Sequence, residues 1–395
     1  MADLVEVLES SPERSTPPCP QFSLCGGCSL QHRSYASQRS FKRTIVRECI
    51  ERVLGETLEV RGTIPSPRRW DYRTKAVLQV HPKTGKLCMV GKEKRLVSLR
   101  DGCRVLSRSL NVAMEQVEDL LSDEREDLPA MMLIRVGRRT GQLQSAFAFR
   151  GRPSRRTWQW AKQLVPPMDS VVFTWGRQEA AFWGAVKEVA AGRNEIQENL
   201  LGMNFFVGAE DFFQSNLEQA ERMHRWVGER ILGSSEDKIL DLCCGVGPFA
   251  QGLARRGFET VVGIDENRGA ILRARRSAWE NGLTRVHFIN HALRGVGRVL
   301  LRRFGHFQRV VVDPPRGGLG KEGCESVLLL KPDQILYASC HPFTLAHDLY
   351  RFRLGGYTIL EVQPMDMYPQ TRHVETLVLL GRALDLPASR GYTFR

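Results

Sequence analysis

The sequence predicts an α/β protein in two parts, a doubly wound, mostly parallel sheet after residue 201 and an α+β domain ahead of it. Two observations carry the prediction. Beyond residue 201, β-favouring runs at 238–242, 260–264, 286–289, 309–312 and 334–338 alternate with helical patterns, the rhythm of a parallel sheet covered on both faces. Before it, short β-favouring runs follow one another through turn signals, the rhythm of an antiparallel sheet.

In chain order, residues 1–18 are rich in Ser, Pro and Glu without apolar periodicity and read as a mobile tail. Ordered structure starts near Cys19. Runs at 74–80, 86–90 and 95–99, with a turn at 82–85, open the first sheet, and runs at 131–136, 144–149 and 170–175 continue it. A helix at about 109–121 separates the two groups, and this domain is assigned residues 19–200. The second domain, 201–395, opens with a helical pattern over 211–232. The strand 238–242, a glycine-bearing loop, a helix from Pro248, the strand 260–264 and a helix over 267–280 follow, and no internal repeat is evident.

With 395 residues, 42% of them hydrophobic, the chain can bury more than one core. Lys and Arg number 57 against 44 Asp and Glu, and the resulting charge of +13 favours a polyanionic partner such as nucleic acid. No stretch approaches the ~18 consecutive apolar residues of a membrane-spanning helix. The acidic, polar N-terminus is unlike a signal peptide, so the expected location is the cytoplasm. In that compartment ten cysteines read as metal ligands or catalysts rather than disulfides.

In Asp241-Leu-Cys-Cys-Gly-Val-Gly-Pro-Phe249 a strand runs into a loop whose Gly245 and Gly247 let a ligand approach the backbone, then into a helix that Pro248 is suited to start. The spacing is not G-x-G-x-x-G, and short glycine loops of this kind also hold adenosylmethionine. Asp265 closes the next strand, where a carboxylate can accept both ribose hydroxyls. The plainer alternative is a strand-to-helix turn with Asp265 capping the helix near Asn267.

Asp313-Pro-Pro-Arg-Gly-Gly-Leu319 follows the strand 309–312 at the carboxyl edge of the sheet, where such folds bind ligands. Its prolines stiffen a loop that can present a carboxylate to a flat base. Cys340, in Tyr337-Ala-Ser-Cys340-His-Pro342, ends the next strand. A cysteine there reads as packing when taken alone, and as a nucleophile when taken beside a cofactor loop and a base-binding loop. Glu375 stands just before the apolar strand 376–380, either as a base at that same edge or as a solvated strand-end carboxylate.

Cys19, Cys25 and Cys28 fall within ten residues, and Cys103 offers a fourth thiol. Four thiolates suit a tetrahedral zinc or an iron–sulfur cluster, and the spacing alone does not choose. Trp70-Asp-Tyr-Arg-Thr-Lys75 mixes aromatic and basic side chains, which either stack on bases and neutralise phosphates or simply pack in the core. Basic runs at 150–156 and 298–303 bind phosphates or form solvated faces.

Taken together, Phe212-Phe-Gln-Ser-Asn216, the loop from Asp241, Asp313-Pro-Pro-Arg316, Ser339-Cys-His-Pro342 and His373-Val-Glu375 resemble the motifs of the RNA uracil-5-methyltransferases. The resemblance implies a Rossmann-like class I methyltransferase sheet joined to a central α+β domain that carries a 4Fe-4S cluster on Cys19, Cys25, Cys28 and Cys103. It implies S-adenosylmethionine contacts at Gln214, Cys243, Gly245, Asp265 and Asp313, with Cys340 as nucleophile and Glu375 as base. The chain departs from the family pattern at Cys243, Pro248 and Ala292.

Carbon 5 of uracil is too weak a nucleophile to be methylated directly, so a thiolate first adds to carbon 6, and a base later removes the C5 proton. The cluster cysteines, with only eighteen residues ahead of Cys19, resemble the short 23S rRNA branch, which makes 23S rRNA the expected partner, with no obligate protein partner. A transfer-RNA uridine is the alternative target. A noncatalytic RNA-binding protein and an amino-directed methyltransferase are the competing readings; the first needs neither Cys340 nor Glu375, and the second does not need Cys340.

Overall fold

The computed structural model describes residues 7–99, 101–123, 127–178, 182–231 and 233–382. Its first helix, α1 (Tyr35–Leu54), begins where the Ser34 hydroxyl accepts the Ser37 amide and ends at Gly55, which turns out at φ 72°. Gln38, Lys42, Val46 and Ile50 form its buried stripe at four-residue steps. Val46 and Ile50 join Leu345, Leu349 and Phe352 of a helix near the other end of the chain. The segment expected as a mobile tail is pinned to this corner: Ser15 donates its amide to the His32 carbonyl, and the Glu13 carbonyl accepts the Ser34 amide. Residues 1–6 of that expectation lie outside the described residues.

The first sheet is larger than the sequence suggested. Strands β1 (Lys75–Val80), β2 (Leu87–Val90) and β3 (Leu96–Ser98) precede helix α2 (Arg108–Asp123). Then come β4 (Met131–Val136), β5 (Leu143–Ala148), helix α3 (Arg155–Gln163), β6 (Ser170–Gln178) and β7 (Gly184–Gly192). The order is β3-β2-β1-β4-β5-β6-β7, antiparallel except for the parallel pair β5–β6 that α3 connects. Leu110 and Val117 of α2 and Trp160 of α3 close the core over Leu78, Met132, Phe147 and Phe173. Helix α3 and the mostly exposed edge strand β7 were not anticipated.

A hairpin of β8 (Glu195–Leu200) and β9 (Met203–Gly208) turns at Leu201 and Gly202, both at positive φ. The expected domain boundary at 200/201 therefore falls inside one hairpin. Phe205 and Val207 pack with Leu217, Val246 and Ala270, so the hairpin belongs to the second half.

That half runs α4 (Leu217–Arg230), β10 (Lys238–Leu242), α5 (Pro248–Arg255), β11 (Thr260–Asp265), α6 (Arg268–Glu280), β12 (Val286–Asn290), α7 (Val296–Phe304), β13 (Arg309–Val312), α8 (Gly320–Leu330), β14 (Gln334–Ser339), α9 (Pro342–Leu354), β15 (Tyr357–Met365) and β16 (Glu375–Arg382). Leu232, the end of the expected first helical pattern, lies outside the described residues. The strand order is β12-β11-β10-β13-β14-β16-β15. All pairs are parallel except those made by β16. Apolar side chains fill both faces: α1, α7, α8 and α9 cover Leu240, Val310 and Ile335, while α4, α5 and α6 cover Ile239, Val311 and Leu336. The order reverses between β10 and β13, and doubly wound folds bind ligands in the crevice at such a point.

Of the aromatic–basic segment at 70–75, the core claims Tyr72, which is fully buried with its hydroxyl donating to the Pro369 carbonyl at 3.0 Å. Burial, then the Arg135 and Arg73 charges, push the Lys75 ammonium down to about 7. Tyr72 therefore offers no stacking face, and Lys75 is half-buried with its charge weakened. The expected reading of this segment as an RNA platform therefore gives way to packing at those two positions. No described helix is long and apolar enough to cross a membrane.

Candidate active site

Three successive features meet at the carboxyl edge of the parallel strands. The first is the loop after β10. Cys243 sits there at φ 62°, Gly245 at 55° and Gly247 at 83°, and the last is the N-cap of α5 with Pro248 in its first turn. A Cβ on Gly247 would lie 2.5 Å from the Phe288 ring, whereas one on Gly245 would meet open space. Gly247 is thus required by packing, and Gly245 borders the crevice.

Asp265, at the end of β11, accepts the Gly245 amide on Oδ2 (2.9 Å) and the Asn267 amide on Oδ1 (2.8 Å). The capping role expected as an alternative for Asp265 falls partly to Asn267, whose side chain accepts the Ala270 amide. Each Asp265 oxygen keeps a second lone pair, so the carboxylate can also take ribose hydroxyls.

Asp241 was quoted only as the start of the loop, yet it is fully buried, with Oδ2 accepting the Ala250 amide at 2.9 Å and Oδ1 without a partner. Burial first, and then the Asp313 and Asp265 charges, hold its carboxyl well above the usual range. A carboxylate as the last acid of a strand entering a glycine loop is the signal that could have singled it out.

The second feature is the segment 211–216, packed between the two sheets. Phe213 lies against the cluster that contains Val246 of the cofactor loop. Thr74 donates its amide to the Ser215 carbonyl, and Asn216 caps α4 while its Nδ2 reaches the Met367 carbonyl at 2.9 Å. Between these anchors the Gln214 Oε1 is buried with no hydrogen-bond partner. An unsatisfied buried acceptor beside an open glycine loop is what a bound ligand donor would complete. The Gln214 and Asp265 oxygens as acceptors, with the open backbone at Gly245, therefore fit adenosylmethionine.

The third feature is chemical. Asp313 follows β13, and Cys340 follows β14. The antiparallel ladder ends at the pair Ser339–Thr376, with Cys340 directly after it on one side and Glu375 directly before it on the other, and the Glu375 charge acts on the Cys340 thiol. Burial pushes the Cys340 thiol up to about 11, the Glu375 and Asp313 charges add to the rise, and Arg316 opposes it. Glu375 is buried, with Oε1 unpartnered; burial and then Asp313 raise its carboxyl well above the ordinary value. Burial likewise brings Asp313 to about 7. Two carboxyls in one low-dielectric crevice resist ionising together, so near neutrality they hold at least part of a proton between them. A guanidinium nitrogen of Arg316 lies 3.1 Å from His373 Nδ1 at the mouth.

Away from this edge, Cys19, Cys25, Cys28 and Cys103 line one cavity of about 60 Å³. Burial raises the Cys25 and Cys28 thiols, the latter to about 11, and charge on Cys103 or Cys19 raises both further. The Gly27 amide donates to Cys25 Sγ at 3.3 Å. Among the described residues no three or more His, Cys, Asp or Glu side chains form a group that could hold a metal ion.

A doubly wound sheet with a glycine loop and an acid at successive strand ends, bordered by a thiol near a carboxylate, defines an S-adenosylmethionine-dependent methyltransferase. Residues 192–383 match the model of the tRNA (uracil-5-)-methyltransferase family. An uncharacterized RNA methyltransferase of Halalkalibacterium halodurans is 30% identical, covering 95% of this chain and 86% of its own length. One of Listeria monocytogenes is 31% identical, covering 96% and 86%. The crystal structure of the Pyrococcus abyssi tRNA (uracil-54, C5)-methyltransferase with S-adenosyl-L-homocysteine superposes with a TM-score of 0.75 at 29% identity, covering 95% of this chain and 88% of that one. The chain belongs to the RNA uracil-5-methyltransferase family.

Proposed function

We propose that this enzyme methylates carbon 5 of a uridine in RNA through a covalent bond between Cys340 and carbon 6, with Glu375 removing the C5 proton. The observation that carries the reading is that Cys340 and Glu375 adjoin the last pair of the β14–β16 ladder, at the ligand edge of the sheet, with the Glu375 charge acting on the thiol. Cys340 gives its proton to the ionised fraction of the neighbouring Asp313 carboxyl and adds to C6, and the C5–C6 π electrons move into an enolate spanning C5, C4 and O4. S-adenosylmethionine would supply the electrophilic methyl group that C5 of this enolate takes, the sulfur leaving as the neutral thioether of S-adenosylhomocysteine. Glu375 then takes the C5 proton; the released pair restores the C5–C6 double bond, and the Cys340 sulfur leaves as thiolate.

Burial suits Glu375 to this work, because a carboxylate with a raised pKa is a stronger base than one in water. Asp313, at about 7, exchanges protons readily at neutral pH beside the thiol. The target base must leave its stack to reach Cys340, so an unpaired loop uridine costs least to extrude.

For the amino-terminal thiols Cys19, Cys25, Cys28 and Cys103, which line one cavity, we favour an iron–sulfur cluster over a single zinc on the resemblance of the cysteine set to the cluster-bearing branch of the family. A 4Fe-4S cluster spreads its thiolates over separate irons, and the Gly27 amide stands ready to donate to Cys25 Sγ. Its part would be structural, because methyl transfer moves no unpaired electron.

For the substrate we favour 23S rRNA, on the resemblance of the cysteine set to that branch of the family. A transfer-RNA uridine is the second reading, favoured by the likeness to the Pyrococcus abyssi enzyme. Incubation with labelled S-adenosylmethionine and unmodified 23S rRNA or transfer RNA, followed by nucleoside analysis, tests both. 5-methyluridine in the ribosomal RNA supports the first reading, 5-methyluridine in transfer RNA alone supports the second, and methylation on an exocyclic amine overturns the C5 reading.

A further inference from the structure

The loop between β15 and β16 ends on Glu375 and walls the reacting edge. Tyr368 lies within it, close enough that the Glu375, Cys340 and Asp313 charges all act on its hydroxyl. The backbone of this loop is held from outside its own sheet. The Met367 carbonyl accepts from Asn216 Nδ2, the Tyr368 carbonyl from Lys42 Nζ at 2.9 Å, and the Pro369 carbonyl from the Tyr72 hydroxyl. The Gln370 carbonyl takes the amides of Ser29 and Leu30, both at 2.9 Å. The side chains of Gln38 and Gln370 hydrogen-bond at 3.0 Å, while Gln38 Oε1 also accepts the Gln370 amide at 3.1 Å. Gln370 itself is at φ 70°, a conformation a non-glycine residue holds only when its surroundings impose it.

Lys42 is the charged member of this clamp. It is fully buried in the middle of α1, paired with Asp366 at the start of the loop, and its ammonium also reaches the Tyr368 carbonyl. A buried ion pair is a poor source of stability, since desolvation offsets most of the attraction, and its best-attested use is to fix geometry. Hydrophobic residues of similar volume would fill the α1 face at least as well. What they would not do is tie two points of the Glu375 loop to one rigid helix.

We propose that Lys42 and Gln38 of α1 are positioning residues that hold the 366–374 loop so that Glu375 meets the C5 proton. This rests on the reading of Glu375 as the base. Lys42 and Gln38 act on proton removal rather than on the addition of Cys340, because their side chains bond the 366–374 loop directly, whereas α1 meets α9, which follows Cys340, through the apolar Val46 and Ile50.

The test separates the two steps. On RNA carrying 5-fluorouridine the reaction stops at the covalent adduct, because C5 then bears fluorine and methyl and has no proton to lose; adduct formation therefore reports steps before Glu375. On ordinary RNA, turnover requires Glu375. Lys42→Met and Gln38→Ala are compared with wild type in both assays, with melting temperature and bound iron measured alongside. Turnover is expected to fall about 10- to 100-fold with adduct formation nearly unchanged, the size of loss a small misplacement of a catalytic group produces. A covalent enzyme–RNA species should then accumulate on ordinary RNA, and the double variant Lys42→Met/Asp366→Leu should melt near wild type yet remain slow. Parallel loss in both assays, or unchanged turnover, overturns the proposal. If Lys42→Met fails to fold, Gln38→Ala and the double variant decide by the same criterion. A wild-type enzyme that forms no adduct with 5-fluorouridine RNA refutes the covalent reading itself, a different outcome from wild-type adduct with parallel losses in the variants.

Discussion

Cys340 and Glu375 flank the last pair of the β14–β16 ladder, Ser339–Thr376, close enough that the Glu375 charge acts on the Cys340 thiol. The antiparallel return of β16 brings its amino end to the edge where the parallel strands end, so residues thirty-five positions apart in sequence share one crevice. Their settings differ as the proposed roles require: the thiol is partly exposed, and the carboxylate is buried.

Removing either group should have a distinct signature. Cys340→Ala should abolish both methyl transfer and adduct formation, by at least about 10³-fold. Glu375→Gln should slow turnover by about 10²- to 10⁴-fold while allowing the covalent complex to form, visible as an RNA-dependent mobility shift on a denaturing gel. A Glu375→Gln enzyme that turns over normally would remove Glu375 from the mechanism.

The rise of the Cys340 thiol to about 11 means that the resting enzyme carries little thiolate at neutral pH. Single-turnover adduct formation on 5-fluorouridine RNA should therefore quicken by about tenfold per pH unit between pH 7 and 9 while the thiolate is scarce. A flat profile over that window would mean that bound RNA, rather than bulk pH, governs deprotonation.

Asp313 shapes stability as well as chemistry. Its folded pKa, about 7, lies above its ordinary value of 3.8. The folded state therefore binds the proton more tightly, and the contribution is fully present below about pH 4 and lost as pH rises through 7. Asp313→Asn removes that loss, so it should raise the melting temperature by about 2–4 °C at pH 8 and by less at pH 5, while lowering activity. Equal shifts at both pH values would contradict the raised carboxyl.

The thiol cavity makes a prediction in metal content. Protein prepared without oxygen should be brown and carry about four irons per chain, lost when Cys28 or Cys103 is changed to Ser. Colourless protein with one zinc per chain would replace the cluster with a tetrahedral site.

Much of the second half was legible in the sequence because the strands of a sheet buried on both faces are continuous apolar runs, and three of them end on or run directly into a chemically marked residue: Asp265, Asp313 and Cys340. Helix α1 escaped notice for the opposite reason. Its buried stripe begins Gln38 and Lys42 before it reaches Val46 and Ile50, so an apolar count finds no face. Those polar residues are inside because their partners, Gln370 and Asp366, lie more than three hundred positions away, information no local pattern contains. Edge strand β7 was missed because most of its side chains are exposed and supply no alternation. The segment at 70–75 misled because Tyr72 and Lys75 are aromatic and basic, like nucleic-acid contacts, while the fold buries Tyr72 fully and Lys75 in part.

The central claim is the covalent bond to Cys340. Mass spectrometry of the enzyme after reaction with S-adenosylmethionine and RNA containing 5-fluorouridine tests it most directly. The account predicts a peptide containing Cys340 joined to a methylated fluorouridine nucleotide and absent from Cys340→Ala; methylated RNA with an unmodified Cys340 peptide would contradict it.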